Sequence, residues 1–209
     1  MSAGEMQRIT GVSHETLGRL EAYLDLLVRW QRRINLVGPK TLGDPWRRHF
    51  LDSAQLIPHL SPQSGIAVDI GSGAGFPGLV LALCCPDLTV HLFESDGRKA
   101  AFLREAARVT ETNVTIHNAR AESIAPFAAS FITARAFAPL PKLLDLAWSF
   151  VGPETKFCLL KGQSVDDELT DSHKIWMMHT EKHPSLSDSA GCILILGDVH
   201  RDTKPPVHR

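Results

Sequence analysis

Leu17, Leu20, Leu24 and Leu27 recur at three- and four-residue steps, so an early segment of the chain carries one apolar stripe at helical period. Ser13 is placed as the N-cap, with Val12 and Leu17 as the partners of a hydrophobic staple. Gly38-Pro39 punctuates the end of this region. A second, shorter helix is expected from Asp44 to Ile57, stopped near Pro58 and Pro62.

From Gly65 the period changes. Ile66 to Ile70 is a short apolar run that ends in a glycine cluster, and a helix is expected to follow through Leu83. Strands are then expected at Leu88 to Phe93, Val114 to His117, Phe131 to Thr133 and Lys156 to Leu160, with helices at Arg98 to Val109 and Leu140 to Phe150. Short apolar strands alternating with helices predict a parallel sheet covered on both faces. Lys174 to Thr180 and Cys192 to Leu196, separated by a Pro/Ser/Asp/Gly stretch, read as an antiparallel pair, and Arg201 to Arg209 as a loose polar tail. The expected fold is therefore α/β: a doubly wound, mostly parallel sheet with helices on both faces and an N-terminal helical extension. Residues 1–62 would form that extension, packed on the core, and residues 63–209 the ligand-binding domain. In such sheets ligands lie beyond the carboxyl ends of the strands.

Composition narrows the class. With 209 residues, 44% hydrophobic and 22% charged, the chain is long enough for a full core and too apolar for disorder. Met1 to Arg8 is polar and lacks the apolar core of a secretory signal, and the longest apolar run, near Phe76 to Cys85, is broken by Pro77 and Gly78. The four cysteines, two of them adjacent, fit a reducing cytoplasm better than a disulfide framework. No Cys or His spacing reads as a metal site, and a monomer is expected. A net charge of −1 does not by itself favour nucleic acid, but distribution matters more than the sum. From Arg29 to His49 the bases Arg29, Arg32, Arg33, Lys40, Arg47 and Arg48 face a single acid, Asp44, an excess able to seat phosphates.

The segment Asp69-Ile70-Gly71-Ser72-Gly73-Ala74-Gly75-Phe76-Pro77-Gly78 closes the first strand and opens a helix. Glycines let the backbone turn sharply and approach a ligand closely, and a helix start offers free N–H groups. A dinucleotide site wants a small third residue, where Phe76 stands. The Asp-x-Gly-x-Gly-x-Gly pattern looks instead like the first motif of S-adenosylmethionine enzymes, with Gly71, Ser72, Gly73 and Phe76 as contacts. Glu94, at the end of the second strand, can accept hydrogen bonds from ribose hydroxyls, a feature that either cofactor would use. Ala121 and Glu122, after the third strand, are candidates for the adenine edge. An oxidoreductase using NAD and a non-catalytic module binding S-adenosylmethionine and RNA stand as alternatives.

Several stretches together carry a more specific resemblance. They are Arg29-Trp30-Gln31-Arg32-Arg33-Ile34-Asn35-Leu36, Arg48-His49-Phe50-Leu51-Asp52-Ser53, the glycine motif, Glu94-Ser95 with Arg98-Lys99, Arg135-Ala136-Phe137-Ala138, and Leu159-Leu160-Lys161-Gly162. In that order they resemble the bacterial small-subunit rRNA guanine-N7 methyltransferases, the RsmG/GidB family. The resemblance implies a Rossmann-like class I methyltransferase that transfers a methyl group from S-adenosylmethionine to N7 of one guanine in 16S ribosomal RNA. By motif position it implies Gly71, Phe76, Ala121, Glu122 and Arg135 as cofactor contacts, with Glu94 at the ribose. Ala134 departs from the serine common before Arg135, and nothing is carried over beyond Asp171. Guanine N7 has an exposed lone pair, so no acid or base is assigned. Arg135 and Lys161 are positioning candidates; the alternatives are an ion pair for Arg135 and a solvated lysine. Arg32, Arg33, Arg48, His49 and Lys161 are candidates for RNA contact, with internal packing the alternative for His49. The expected partner is 16S rRNA or the small ribosomal subunit, with no membrane. Cys84 and Cys85, at the far end of the helix after the glycine loop, are expected to be structural.

Overall fold

The computed structural model describes residues 1–202. Most of the expected polar tail lies outside the described residues, but its first member, Arg201, ends a strand and pairs with Trp176. In chain order the elements are α1 (Ala3–Thr10), α2 (His14–Gln31), a π-helical segment (Trp46–Leu51) running into the short α3 (Asp52–Ala54), β1 (Gly65–Ile70), α4 (Gly78–Cys84), β2 (Leu88–Phe93), α5 (Gly97–Val109) and β3 (Val114–His117). They continue with β4 (Ala129–Arg135), α6 (Leu140–Ala147), β5 (Val151–Lys161), α7 (Val165–Ser172), β6 (Trp176–Pro184) and β7 (Cys192–Arg201).

The strands form one seven-stranded sheet in the order β3-β2-β1-β4-β5-β7-β6. β3 through β5 are parallel, and β7 runs antiparallel to both β5 and β6. The antiparallel pair expected near the C-terminus is thus present, inserted beside β5. The strand order reverses between β1 and β4, and at that point the glycine loop and Arg135 leave neighbouring strands.

Alternation along each strand sorts the core into two layers. Ala67, Val90, Leu92, Phe131, Cys158 and Leu160 face one layer, with α4 and α5. Val68, Ile70, Ile132, Ala134, Phe157 and Leu159 face the other, with α6 and α7. The first layer also contains Met6, Leu20, Tyr23, Leu27, Trp46 and Phe50, so the N-terminal helices bury their apolar stripes in the same cluster as α4 and α5. Ser13 caps α2 as its sequence predicts, its side chain accepting from Thr16 N at 3.0 Å.

Three local features differ from expectation. α1 and α7 form where the apolar pattern predicts no helix, although Ser2 and Glu5 form a capping box and Ser164 Oγ donates to Glu168. The helix expected over Asp44 to Ile57 starts as a π turn, in which the Asp52 N–H is shared between the carbonyls of Arg47 and His49. The end of the helix expected to reach Phe150 tightens into a 3₁₀ turn over Trp148–Phe150.

Candidate active site

Beyond the carboxyl ends of β1, β2 and β4 lies an open cleft of about 1110 Å³. Its floor is the glycine loop. Gly71, Gly73 and Gly75 adopt φ values of 71°, 57° and 91°, the left-handed region that only glycine enters without strain. The amides of Gly71 and Ser72 both donate to Phe93 O at 3.0 Å, which ties the loop to the end of β2. Glu94, 8% exposed, accepts from Gly73 N at 2.9 Å and from Asp96 N at 2.7 Å. The carboxylate expected at the ribose therefore also braces the loop, with lone pairs remaining on its cleft side.

Under the loop, Asp69 is buried, and its Oδ1 accepts from Thr133 Oγ1 at 2.7 Å. Its Oδ2 lies against the Gly78 backbone without a hydrogen bond of standard geometry. Burial raises this carboxyl to about 6, against the opposing hydrogen bond from Thr133. Tyr23, from α2, donates its hydroxyl to Ala74 O within the loop. Burial pushes the Tyr23 phenol well above its ordinary range, so it stays a donor. A Cβ on Gly75 would stand 2.6 Å from Tyr23 Oη. The N-terminal extension thus props the loop directly, through a contact that a leucine stripe does not announce.

The opposite wall is organised around Arg135 at the end of β4. Its guanidinium donates to Arg48 O at 2.9 Å, to Asp52 Oδ2 at 3.1 Å and to His49 Nδ1 at 3.1 Å, and it lies 5.0 Å from the centre of the Phe76 ring. Because Arg135 donates to Nδ1, the proton of His49 sits on Nε2 and is offered to Thr41 Oγ1 at 2.8 Å. Burial first, then the charges of Arg135 and Arg48, lowers His49 to about 3, so the ring is neutral. Ser53 Oγ donates to the His49 carbonyl at 2.7 Å. Each polar member of the Arg48-His49-x-x-Asp52-Ser53 motif therefore has a task in fixing this wall.

Across the cleft, the loop between β6 and β7 meets the same motif. Arg48 pairs with Asp188 at 2.7 Å, and Ser187 donates to Asp52 Oδ1. Gln55 receives Leu186 N at 2.7 Å. Nothing local in the Pro184 to Gly191 stretch signals these contacts.

The remaining expected residues take definite places. Phe76 is 3% exposed, stacked on Tyr23 and His49, and lines the cleft with Arg135 over its ring. Ala121 is buried and Glu122 exposed, and both line the far end of the cleft. Lys161 is held by Glu168 at 2.7 Å and donates to Ala138 O at 3.1 Å, with its side chain 9% exposed. It braces the β4–α6 loop and is no solvated lysine. Arg32 and Arg33 are exposed at the end of α2, outside the cleft lining. Lys99, which belongs to a resemblance stretch but carries no role there, lines the cleft with Arg120 and Lys142, which nothing in the sequence marks. Burial drives the thiols of Cys84 and Cys85 up to about 12 and about 11, far from reactive values. Among the described residues, no group of His, Cys, Asp and Glu is placed to hold a metal ion.

A glycine loop at the switch point, an acid ending β2 and an antiparallel β7 beside β5 define a class I methyltransferase domain. Solved structures agree on the fold: an S-adenosylmethionine-dependent O-methyltransferase from Thermotoga maritima superposes with a TM-score of 0.58 at 15% identity, covering 86% of this chain and 72% of that one. The M. jannaschii protein TYW2, solved in complex with AdoMet, gives 0.57 at 13% identity, covering 82% and 80%. The model of the family described as rRNA small subunit methyltransferase G matches residues 16–192, and the chain belongs to that family. The ribosomal RNA small subunit methyltransferase G of Rhodospirillum rubrum is 55% identical over 191 residues, 91% of this chain and 94% of that protein. Its counterpart in Paramagnetospirillum magneticum is 52% identical over 207 residues, 99% and 100% of the two chains.

Proposed function

We propose that this protein transfers a methyl group from S-adenosylmethionine to N7 of a guanine in 16S ribosomal RNA, acting as a monomer in the cytoplasm on RNA or on the small subunit. The observation that carries the reading is the loop from Gly71 to Gly75, braced by Glu94 on one side and Tyr23 on the other, within a member of this family.

The residues present suit the cofactor. The left-handed glycines put no side chains of their own into the seat, Glu94 has lone pairs for a diol, and Ala121 with Glu122 borders the cleft. When bound, S-adenosylmethionine supplies an electrophilic methyl group on a sulfonium. The chain's own work is alignment, which can contribute about 7–11 kcal/mol when the reacting atoms are held at near-attack distance. Guanine N7 needs no deprotonation, in keeping with a cleft whose histidine, His49, is neutral and turned onto Arg135. Arg135 is held rigid by three partners and would act as a fixed positive wall toward a cofactor carboxylate or guanine O6. Residues 1–62 would carry the RNA-facing bases Arg32, Arg33 and Arg48, and Lys161 would position the β4–α6 loop for the base. An NAD-dependent reading is not favoured, since family membership and Phe76 both oppose it.

Mass spectrometry of digested 16S rRNA from cells with and without the gene tests the proposal. One 7-methylguanosine should disappear with the gene; its persistence overturns the assignment.

A further inference from the structure

We propose that Phe137 is the platform on which the target guanine stacks, and that its ring stabilises the positive charge the base acquires as it is methylated. This deepens the N7 reading above and rests on it.

Among the described residues, the exposed large hydrophobics are Ile9, Val28, Phe137, Trp148, Ile175, Met177 and Leu186, and of these Phe137 alone lines the cleft. The other phenylalanines of the lining are committed: Phe76 packs on Tyr23, Phe50 and His49, and Phe93 packs on His117 and Phe150. Phe137 is 44% exposed and enters no aromatic pair among the described residues. It rests on Gly71, where an added Cβ would stand 2.0 Å from its Cδ2, so the ring sits at the head of the donor loop.

The backbone holds it there. Arg135 on one side is fixed by Arg48, His49 and Asp52, and the Ala138 carbonyl on the other is fixed by Lys161 Nζ. Between these anchors Ala136 takes φ 48°, a conformation that alanine adopts only under constraint. A strained residue that presents an unpartnered aromatic ring to a cleft is a site feature that the core does not require.

The chemistry says why a ring belongs there. A bond forms between N7 and the methyl carbon while the S–C bond breaks, its electron pair remaining on sulfur. No proton leaves, so the imidazole half of the guanine becomes cationic. A base splayed from its stack needs a new stacking partner, and an aromatic face also attracts a cation. The attraction grows as the charge develops, so it favours the transition state over the bound substrate.

The test uses small ribosomal subunits from cells lacking the enzyme. Relative to wild type, Phe137→Leu should lower the single-turnover rate roughly ten- to hundredfold, and Phe137→Trp should stay within about threefold. Affinity for S-adenosylmethionine, measured by calorimetry without RNA, should not move in either. Pentafluorophenylalanine at position 137 keeps the shape but reverses the polarity of the face, and should be as slow as leucine. Independently of activity, short-wave ultraviolet irradiation of the complex with S-adenosylhomocysteine should cross-link the Phe137 peptide to the target guanosine. A Phe137→Leu rate near wild type, or a loss of cofactor affinity equal to the loss of rate, overturns the proposal. A fluorinated ring as fast as phenylalanine removes its electrostatic half. A wild-type protein that leaves N7 unmethylated sinks the functional reading itself, whereas an active wild type with an unaffected leucine variant sinks only the platform.

Discussion

The two walls of the cleft are built by opposite strategies. At the glycine loop, main-chain amides of Gly71, Ser72 and Gly73, just after β1, are held by Phe93 O and Glu94 at the end of the adjacent parallel β2. At Arg135, long side chains reach across the sequence: Asp52 lies 83 residues away, and Arg48 is separated by 140 residues from Asp188. The first wall is specified by backbone conformation and tolerates almost no side chain. The second is a charge network whose members brace one another and whose strength depends on partial burial. On the proposed reading, a cofactor seat needs fixed geometry, whereas a wall facing an anionic ligand has to hold cations ready without leaving them buried and unpaired.

Substitutions in the loop should have the largest effect and should separate fold from seat. Gly75→Ala forces a left-handed φ and drives a Cβ to 2.6 Å from Tyr23 Oη and 3.0 Å from Leu79 Cβ. It should lose about 2–4 kcal/mol of stability in urea titrations. At Gly73 a Cβ has room, its nearest neighbour being Gly71 O at 3.8 Å. Gly73→Asp meets no clash, so beyond the cost of its left-handed φ, about 1–2 kcal/mol, it should act through charge, by placing a second carboxylate beside Glu94. Calorimetry should show cofactor affinity falling about a hundredfold or more. Equal affinity in the Gly73→Asp protein would remove the loop from the cofactor site.

At the second wall the network should show itself as coupling. Asp52→Ala strips a partner from Arg135 and from Ser187, in a pair whose side chains are 18% and 16% exposed. We expect about 1–3 kcal/mol of destabilisation, less than for a fully buried pair because solvent reaches both groups. In a double-mutant cycle with Arg135→Gln, about 1 kcal/mol or more should be non-additive. Simple additivity would mean that Arg135 does not depend on Asp52.

This contrast also explains what could be read from the chain. The glycine wall was legible because its determinants are local: Asp69 to Gly78 is one contiguous string between a strand and a helix, and Glu94 ends the next strand. The sheet was legible for the same reason, since each strand carries its own alternation. Asp188 and Ser187 were not, because their meaning arises only where the β6–β7 loop reaches the π turn at Arg48. Tyr23 was hidden within an ordinary helical stripe, though its hydroxyl is what touches the loop. The family resemblance pointed to Arg48, His49 and Asp52 without supplying the reason, which is their shared grip on the β4 wall. For Lys161 the sequence offered a base contact or a solvated lysine, while the side chain is committed to Glu168 and Ala138.

Titration distinguishes the walls in sign. His49 falls from 6.5 to about 3 on folding, so between those values the unfolded chain binds the extra proton and stability rises with pH, levelling above 6.5. Asp69 rises from 3.8 to about 6, so between those values its contribution to stability falls as pH rises. The two oppose each other below pH 6. His49→Gln should remove only the first effect, so relative to wild type it should gain about 2 kcal/mol on going from pH 7.5 to pH 5. The other depressed histidines, His59, His91 and His117, remain in both proteins and cancel in the difference. Parallel pH profiles for the two proteins would mean that folding leaves the titration of His49 unshifted.

The smallest structural effect belongs to the outermost contact. Arg48 and Asp188 are 41% and 39% exposed, and such a pair contributes at most about 1 kcal/mol to stability. The Asp188 carboxylate is held below the ordinary range chiefly by its hydrogen bond from Arg48, and if Arg48 binds RNA as proposed, this carboxylate competes with the phosphate. Arg48→Ala should therefore barely change unfolding or cofactor affinity, yet reduce the salt slope of RNA binding by about one unit. Asp188→Asn should do the reverse and bind RNA more tightly at low salt, because the guanidinium no longer has an internal competitor. If both variants bind RNA as wild type does across a salt titration, Arg48 is a brace for the β6–β7 loop and belongs with the architecture of the wall, and the phosphate path must run instead along Arg32 and Arg33 at the end of α2.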